Sequence, residues 1–362
     1  MSQLPLGIAV DSLTLIVEPN PGGHRLHYVG ILVEECHAQG DKVVVLTTAT
    51  AVESAEWRIH LDEQAPKAII QYPKDFQLPD IASVAARIGA TNTILPDADG
   101  HLISALRHGW VGPGMLTLLV MRADVQPGPP LAWMQPAKTL VKRALILVAG
   151  CRPGIRVFAL RSPLVPRRGP LRWIAEPVKL SGSSQQTYAM REKINGDESR
   201  YWLGVFGAIT PRKNLPLVIE SILDQPDIGL LIAGSVDPQV SKNIAPLLAK
   251  FIANGGKVHH MPGPLTDVEF DSAIGAVDCV VAAHSNEGPS NVVLKAVASG
   301  RRLVLAGAKS LRQDAAHLKG QATWCNLNVN SLRRAIRQAR SLPEPAAVEP
   351  STDEFVKALT QT

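Results

Sequence analysis

Apolar and polar positions along this chain fall into short blocks with two alternating rhythms. One is the short, nearly continuous apolar run: Leu6–Val10, Lys42–Thr47, Ala68–Tyr72, Thr93–Pro96 and Arg156–Leu160 in the first half. Runs of this kind are expected of strands covered on both faces, as a parallel sheet requires. The other rhythm is apolar residues at helical spacing. In His24–Gln39 these are Leu26, Val29, Leu32, Val33 and Cys36, with Gly22-Gly23 before them and Gly40-Asp41 after. Helices are also expected at Ile81–Ile88 and Ala137–Val148. Gly114–Met121 has the length of a buried strand or helix face. Ser162–Pro170 is a linker candidate, because its prolines block both helix and ladder.

The second half restarts the same grammar. Strands are expected at Trp202–Ile209, Gly229–Ala233, Val258–His260, Cys279–Ala282 and Arg302–Ala306. Helices are expected at Leu215–Leu223, Ser241–Ala253, Asp267–Ala276, Asn291–Ser299, Asn330–Ser341 and Asp353–Thr360. Alternating strands and helices predict an α/β fold of two doubly wound, Rossmann-like domains facing across a cleft. The expected division is 1–165, 166–346 and a C-terminal tail or helix at 347–362.

Composition fits this reading. With 362 residues, 46% of them apolar, the chain can bury two cores. No apolar run approaches the ~20 residues of a membrane span. The polar Met1-Ser2-Gln3 start carries no signal-peptide pattern, so a cytoplasmic protein is expected. Cys36, Cys151, Cys279 and Cys325 lie far apart with no CxxC, which argues for reduced thiols and against a cysteine zinc site or disulfide scaffold. The net charge of +5 is unevenly spread: Arg122 to Arg172 holds ten Lys/Arg, eight prolines and one acid, Asp124. Such a segment suits peripheral contact with lipid headgroups or a phosphorylated or lipid-linked acceptor, and equally a plain solvated surface. Nucleic acid is not expected, since no module with interleaved aromatics accompanies it.

In doubly wound domains ligands sit at the carboxyl ends of strands. Four such loops carry candidate chemistry. Gly22-Gly23 permits close backbone approach to an anion at a helix start. Arg212-Lys213, in the loop after Trp202–Ile209, places two cations at a helix start, an arrangement that an anion would complete. Gly234-Ser235 ends the next strand as a weaker phosphate-turn candidate. The fourth loop is Glu287-Gly288-Pro289-Ser290-Asn291. It joins a carboxylate for sugar hydroxyls to a helix start whose amides suit a diphosphate. On the first domain, Asp97, Asp99 and His108 follow a strand end and are acceptor-side candidates.

Several stretches together resemble the family-4 (group 1) retaining GT-B glycosyltransferases. Gly207-Ala208-Ile209-Thr210-Pro211-Arg212-Lys213-Asn214 looks like that family's phosphate loop. Val258–Gly263, with Met261 and Pro262, resembles its base-reading loop, and Gly22-Gly23 its N-domain glycine loop. The run from Asp278 through Glu287 to Gly300 is similar to its Glu-x7-Glu signature. The resemblance implies a GT-B fold, a UDP- or GDP-sugar donor, retention, no cofactor and no metal. It further implies that Lys213 stabilises the leaving diphosphate. This chain departs from the pattern at Lys295, where the family carries a ribose-binding Glu; a cation cannot accept those hydrogen bonds, but can pair with a phosphate or an acid. It departs also at Ala208, where the family commonly has Arg; Arg212 is the expected substitute. These departures motivate an alternative, a catalytically weak nucleotide-binding or scaffold protein. A nucleotide-sugar epimerase lacks the Glu-Gly loop, and a dehydrogenase would need a GxGxxG that is absent.

Overall fold

The computed structural model describes residues 12–361 except 23–24, 65–67, 74, 125–134, 167–168, 196–199, 319, 344, 346 and 350. The expected strand Leu6–Val10 lies outside the described residues. The first strand described is β1 (Leu13–Val17), followed by α1 (Arg25–Ala38), β2 (Lys42–Leu46), α2 (Ala49–Val52) and α3 (Ala55–His60). Next come β3 (Ile69–Gln71), α4 (Leu78–Ile88), β4 (Asn92–Leu95), α5 (Leu102–His108) and β5 (Met115–Val120). α6 (Gln135–Gly150), β6 (Ile155–Arg161) and β7 (Trp173–Ala175) complete the first sheet.

The second domain opens with α7 (Ser184–Asn195), β8 (Tyr201–Phe206), α8 (Leu215–Ile222), β9 (Ile228–Gly234) and α9 (Pro238–Ala253). It continues through β10 (Lys257–Pro262), α10 (Asp267–Ala276), β11 (Cys279–His284) and α11 (Asn291–Ala298). β12 (Arg302–Gly307), α12 (Lys309–His317), β13 (Ala322–Cys325) and α13 (Val329–Arg340) follow, and α14 (Asp353–Thr360) closes the chain.

The two sheets have seven and six strands, in the orders β3-β2-β1-β4-β5-β6-β7 and β10-β9-β8-β11-β12-β13. Every strand pairing is parallel. Their central strands are buried along nearly their whole length, as the apolar runs require, and β9 throughout. Each sheet carries a core on both faces, one built around Leu15, Leu118 and Val157 and its opposite around Leu26, Val45 and Phe355. The second domain repeats this with Leu230 and Val281 on one face, Trp202 and Val293 on the other.

Two boundaries differ from expectation. Ser162–Pro170 does break the ladder, but it joins two strands of one sheet, because Ala159, Leu160 and Arg161 pair in register with Trp173, Ile174 and Ala175. The chain therefore stays in the first sheet beyond residue 165. The C-terminal helix returns as well: Phe355, Val356 and Leu359 are buried in the first domain's core, and Asn92 Nδ2 donates to Leu359 O at 3.2 Å. No helix among the described residues is long and apolar enough to cross a membrane.

Candidate functional site

Strand order reverses between β1 and β4 in the first sheet and between β8 and β11 in the second. At such a switch point, loops leave neighbouring strands in opposite directions and open a crevice. A cavity of about 590 Å³ lies there, lined from both domains. That volume falls within the usual range for small-ligand sites.

The loop after β8 is fixed by its backbone. Gly207 turns at φ +83°, and Asn214 is the one non-glycine residue at positive φ among those described. Asn214 holds the turn by donating to Arg212 O and Ala283 O, each at 2.9 Å. Ser285 N donates to Arg212 O at 2.9 Å, tying this loop to the one after β11. Gly234 is at φ +126°, and a Cβ there would lie 2.4 Å from Gly207 O. Only glycine lets the end of β9 come so close to that turn.

Lys213 is thereby folded inward, with Nζ donating to Phe206 O. Burial, reinforced by Arg212, lowers its pKa from 10.5 to about 7. Arg212 is likewise lowered by burial and by Arg122, which reaches the cavity from the end of β5 in the other domain. Among the described residues, none of these three cations has a carboxylate at ion-pair distance. His284 is pushed down to about 3 by burial and by the Lys213 and Arg212 charges, so it stays neutral. Three cations in one crevice, with no carboxylate at ion-pair distance among the described residues, give it a positive potential that suits an anion.

The loop after β11 faces them. Gly288, Pro289, Ser290 and Asn291 line the cavity, and no Ser290 side-chain cap occupies the first-turn amides of α11. Glu287 also lines it, but its carboxylate has a second role. Oε1 accepts from Lys309 N and Oε2 from Ser310 N, both at 2.9 Å. The negative charge thus closes the amino end of α12.

Of the other residues singled out from the sequence, Gly22, Gly207, Gly234, Ser235, Lys295, Asp97 and Asp99 line the same cavity. Gly23 lies outside the described residues. Asp97 is paired with Arg25 Nε at 2.6 Å and Asp99 with Lys142 Nζ at 2.5 Å. His108 is exposed at the end of α5 and does not reach the cavity. Met261 and Pro262 do not line it either: Met261 is packed into the core of the second domain, and the wall is formed by Gly263, Pro264 and Leu265 beyond β10. Lys295 is buried with its Nζ 2.6 Å from Asp271 Oδ1, so its partner is an acid.

Several solved structures share this fold. Anabaena HepE in complex with UDP and glucose superposes with a TM-score of 0.64 at 13% identity, covering 91% of this chain and 90% of that one. A glycosyltransferase from Rickettsia africae gives 0.67 at 12% identity over 92% and 89%. WaaG, a glycosyltransferase involved in lipopolysaccharide biosynthesis, gives 0.61 at 14% identity over 97% and 100%. The chain has the GT-B fold. No family profile matches the sequence, and no curated protein sequence matches it.

Within this GT-B cleft the structure adds residues that the sequence pattern alone does not single out. Arg122 stands at the end of the apolar run Gly114–Met121, whose strand or helix character the pattern leaves open, so its strand-end position is not legible. Arg25 follows Gly22-Gly23 by two residues but pairs with an acid far along the chain. His60 and Asp267 carry no local signal, because their neighbours come from other elements.

Proposed function

We propose that this protein is a glycosyltransferase that moves a sugar from a UDP- or GDP-sugar to an acceptor, with retention and with no metal or cofactor in the transfer step. The donor belongs to the second domain and the acceptor to the first. The observation that carries this reading is the pair Arg212–Lys213 on the cavity wall beside the Gly207–Gly234 turn, Lys213 buried and Arg212 exposed, with no carboxylate at ion-pair distance among the described residues. Such preorganised cations favour the leaving diphosphate, where charge develops as the glycosidic bond to phosphate breaks. The UDP in the HepE complex supports a nucleoside diphosphate in this fold. Ser290 and Asn291 supply backbone amides for the phosphates, and Glu287, oriented by Lys309 N and Ser310 N, takes sugar hydroxyls. Arg212 replaces the Arg that Ala208 lacks. Retention rests on the family resemblance.

One observation favours the alternative of a nucleotide-binding subunit with weak turnover. Lys295 is sequestered with Asp271, so neither side chain offers a free carboxylate to ribose. Incubating the chain with UDP- and GDP-sugars and following nucleoside diphosphate release distinguishes the two, and the anomeric configuration of any product reads retention. Binding without release supports the subunit.

The basic segment supports peripheral contact with an anionic lipid surface, which would present a lipid-linked or phosphorylated acceptor to the cleft. On α6, Leu140 is 70% exposed and Val141 59%, with Val148 on the same flank, and Ile103 on the neighbouring α5 is exposed as well. Lys138 on α6, Arg107 on α5 and Arg152 just beyond α6 are exposed too. This is the apolar-plus-basic composition of an interfacial helix.

A further inference from the structure

We propose that His27, His60 and Asp267 form a binding site for a divalent transition-metal ion of the zinc type, which clasps the two domains together beside the donor site. The three side chains come from three elements: the first turn of α1, the last residue of α3 and the first residue of α10. Two belong to the first domain and one to the second. Their donor atoms all lie within 4.8 Å of one another. His60 Nδ1 stands 3.1 Å from Asp267 Oδ2, and His27 Nδ1 stands 3.8 Å from the same oxygen. Donors held at zinc-ligand distances in a tetrahedron are about 3.3–3.5 Å apart, so the two values bracket what a bound ion requires. The imidazole rings meet edge to face at 65° with centroids 5.2 Å apart, so they converge without stacking.

Backbone features hold this arrangement. Gly30 sits one turn beyond His27 on α1, and a Cβ there would lie 2.6 Å from His60 O. A side chain at 30 would push α3 away and take His60 with it. Asp267, though in the first turn of α10, does not cap that helix. Thr266 and Glu269 do so reciprocally, with Thr266 Oγ1 accepting from Glu269 N and Glu269 accepting from Thr266 N. The Asp267 carboxylate is therefore available for other partners, and its ion-pair partners among the described residues are the two histidines.

Two imidazoles and one carboxylate select zinc-like ions over magnesium or calcium, which prefer all-oxygen sets. No cysteine takes part, so the absence of CxxC pairs has no bearing on this site. All three residues border the cavity, leaving a fourth position for water or a ligand. No step of the transfer runs through the ion. Because its ligands come from both domains, binding stabilises their closed arrangement in proportion to the affinity.

The test is a titration of the chelator-stripped full chain with Zn2+ against a chromophoric competitor, and with Co2+ followed by its visible spectrum. One equivalent is expected to bind, Co2+ giving an intense tetrahedral band, and Zn2+ raising the thermal midpoint. His27→Gln, His60→Gln and Asp267→Asn each remove one ligand and should weaken binding by more than the roughly 10–100-fold lost with an outer-shell partner. Circular dichroism confirms which variants are folded, and any folded one decides the matter. Absence of saturable binding by the parent chain overturns the site. So does binding that survives in a folded variant, since the metal would then lodge elsewhere, for example at Cys151.

Discussion

The proposed chemistry turns most on one side chain, Lys213. The sequence places it at a strand end, and the turn between Gly207 and Asn214 buries it with its ammonium against a carbonyl. Its pKa of about 7 lies below the ordinary 10.5, so between those values the unfolded chain holds more protons than the folded one. Stability contributed by this group therefore rises with pH across that window and is lost as pH falls through 7. A bound diphosphate reverses the preference by favouring the charged ammonium. UDP binding above pH 7 should take up a proton, read as an enthalpy that varies with buffer ionisation heat, and affinity should fall as pH rises from 7. Lys213→Met should abolish the uptake and weaken UDP by roughly ten- to hundredfold, the size of one hydrogen bond to a charged group. Uptake that is unchanged in Lys213→Met would assign the proton elsewhere. Lys213 is legible in the sequence because strand-end cations are a local pattern; its burial is not, since that depends on β11 packing against the turn.

At the scale of elements, α10 and α11 are held to one another by Lys295 and Asp271, the pair that replaces the expected ribose carboxylate. Ser181 N also donates to Asp271 at 2.7 Å, and Lys295 lies over the Phe270 ring. Lys295→Glu would set two carboxylates in contact inside the protein. It should therefore destabilise the fold by about 3–5 kcal/mol, as breaking a buried pair does, and should not restore ribose binding. Urea denaturation measures this directly; an unchanged midpoint would show the pair to be dispensable. Element boundaries in the second half are largely readable, Asp267–Ala276 and Asp353–Thr360 to the residue, because caps and apolar runs are local. The elements here that escape the pattern do so for two reasons. α7 and α12 are predominantly polar, and the strands β7 and β13 have three and four residues, too short for periodicity to register. With α12 illegible, the second role of Glu287 is hidden too.

For the molecule as a whole, the cleft joins loops whose sequence positions are hundreds of residues apart, so its composition can be read only one loop at a time. Arg122 against Arg212, and His60 against Asp267, exist solely as relations between domains. The basic segment acquires a shape only in α6, where Leu140, Val141 and Val148 stand outward. Sedimentation with anionic vesicles should capture the chain, and Leu140→Glu with Val141→Glu should release it; equal capture of the double variant would rule out the lipid contact. Central to the proposed function is a nucleotide-sugar donor held on the second domain through Arg212 and Lys213. Calorimetric titration with UDP, GDP and their sugars tests it most directly. Saturable one-to-one binding of at least one of them is predicted, greatly weakened in both Arg212→Ala and Lys213→Met. No binding by the parent chain, or equal binding by both variants, would contradict it.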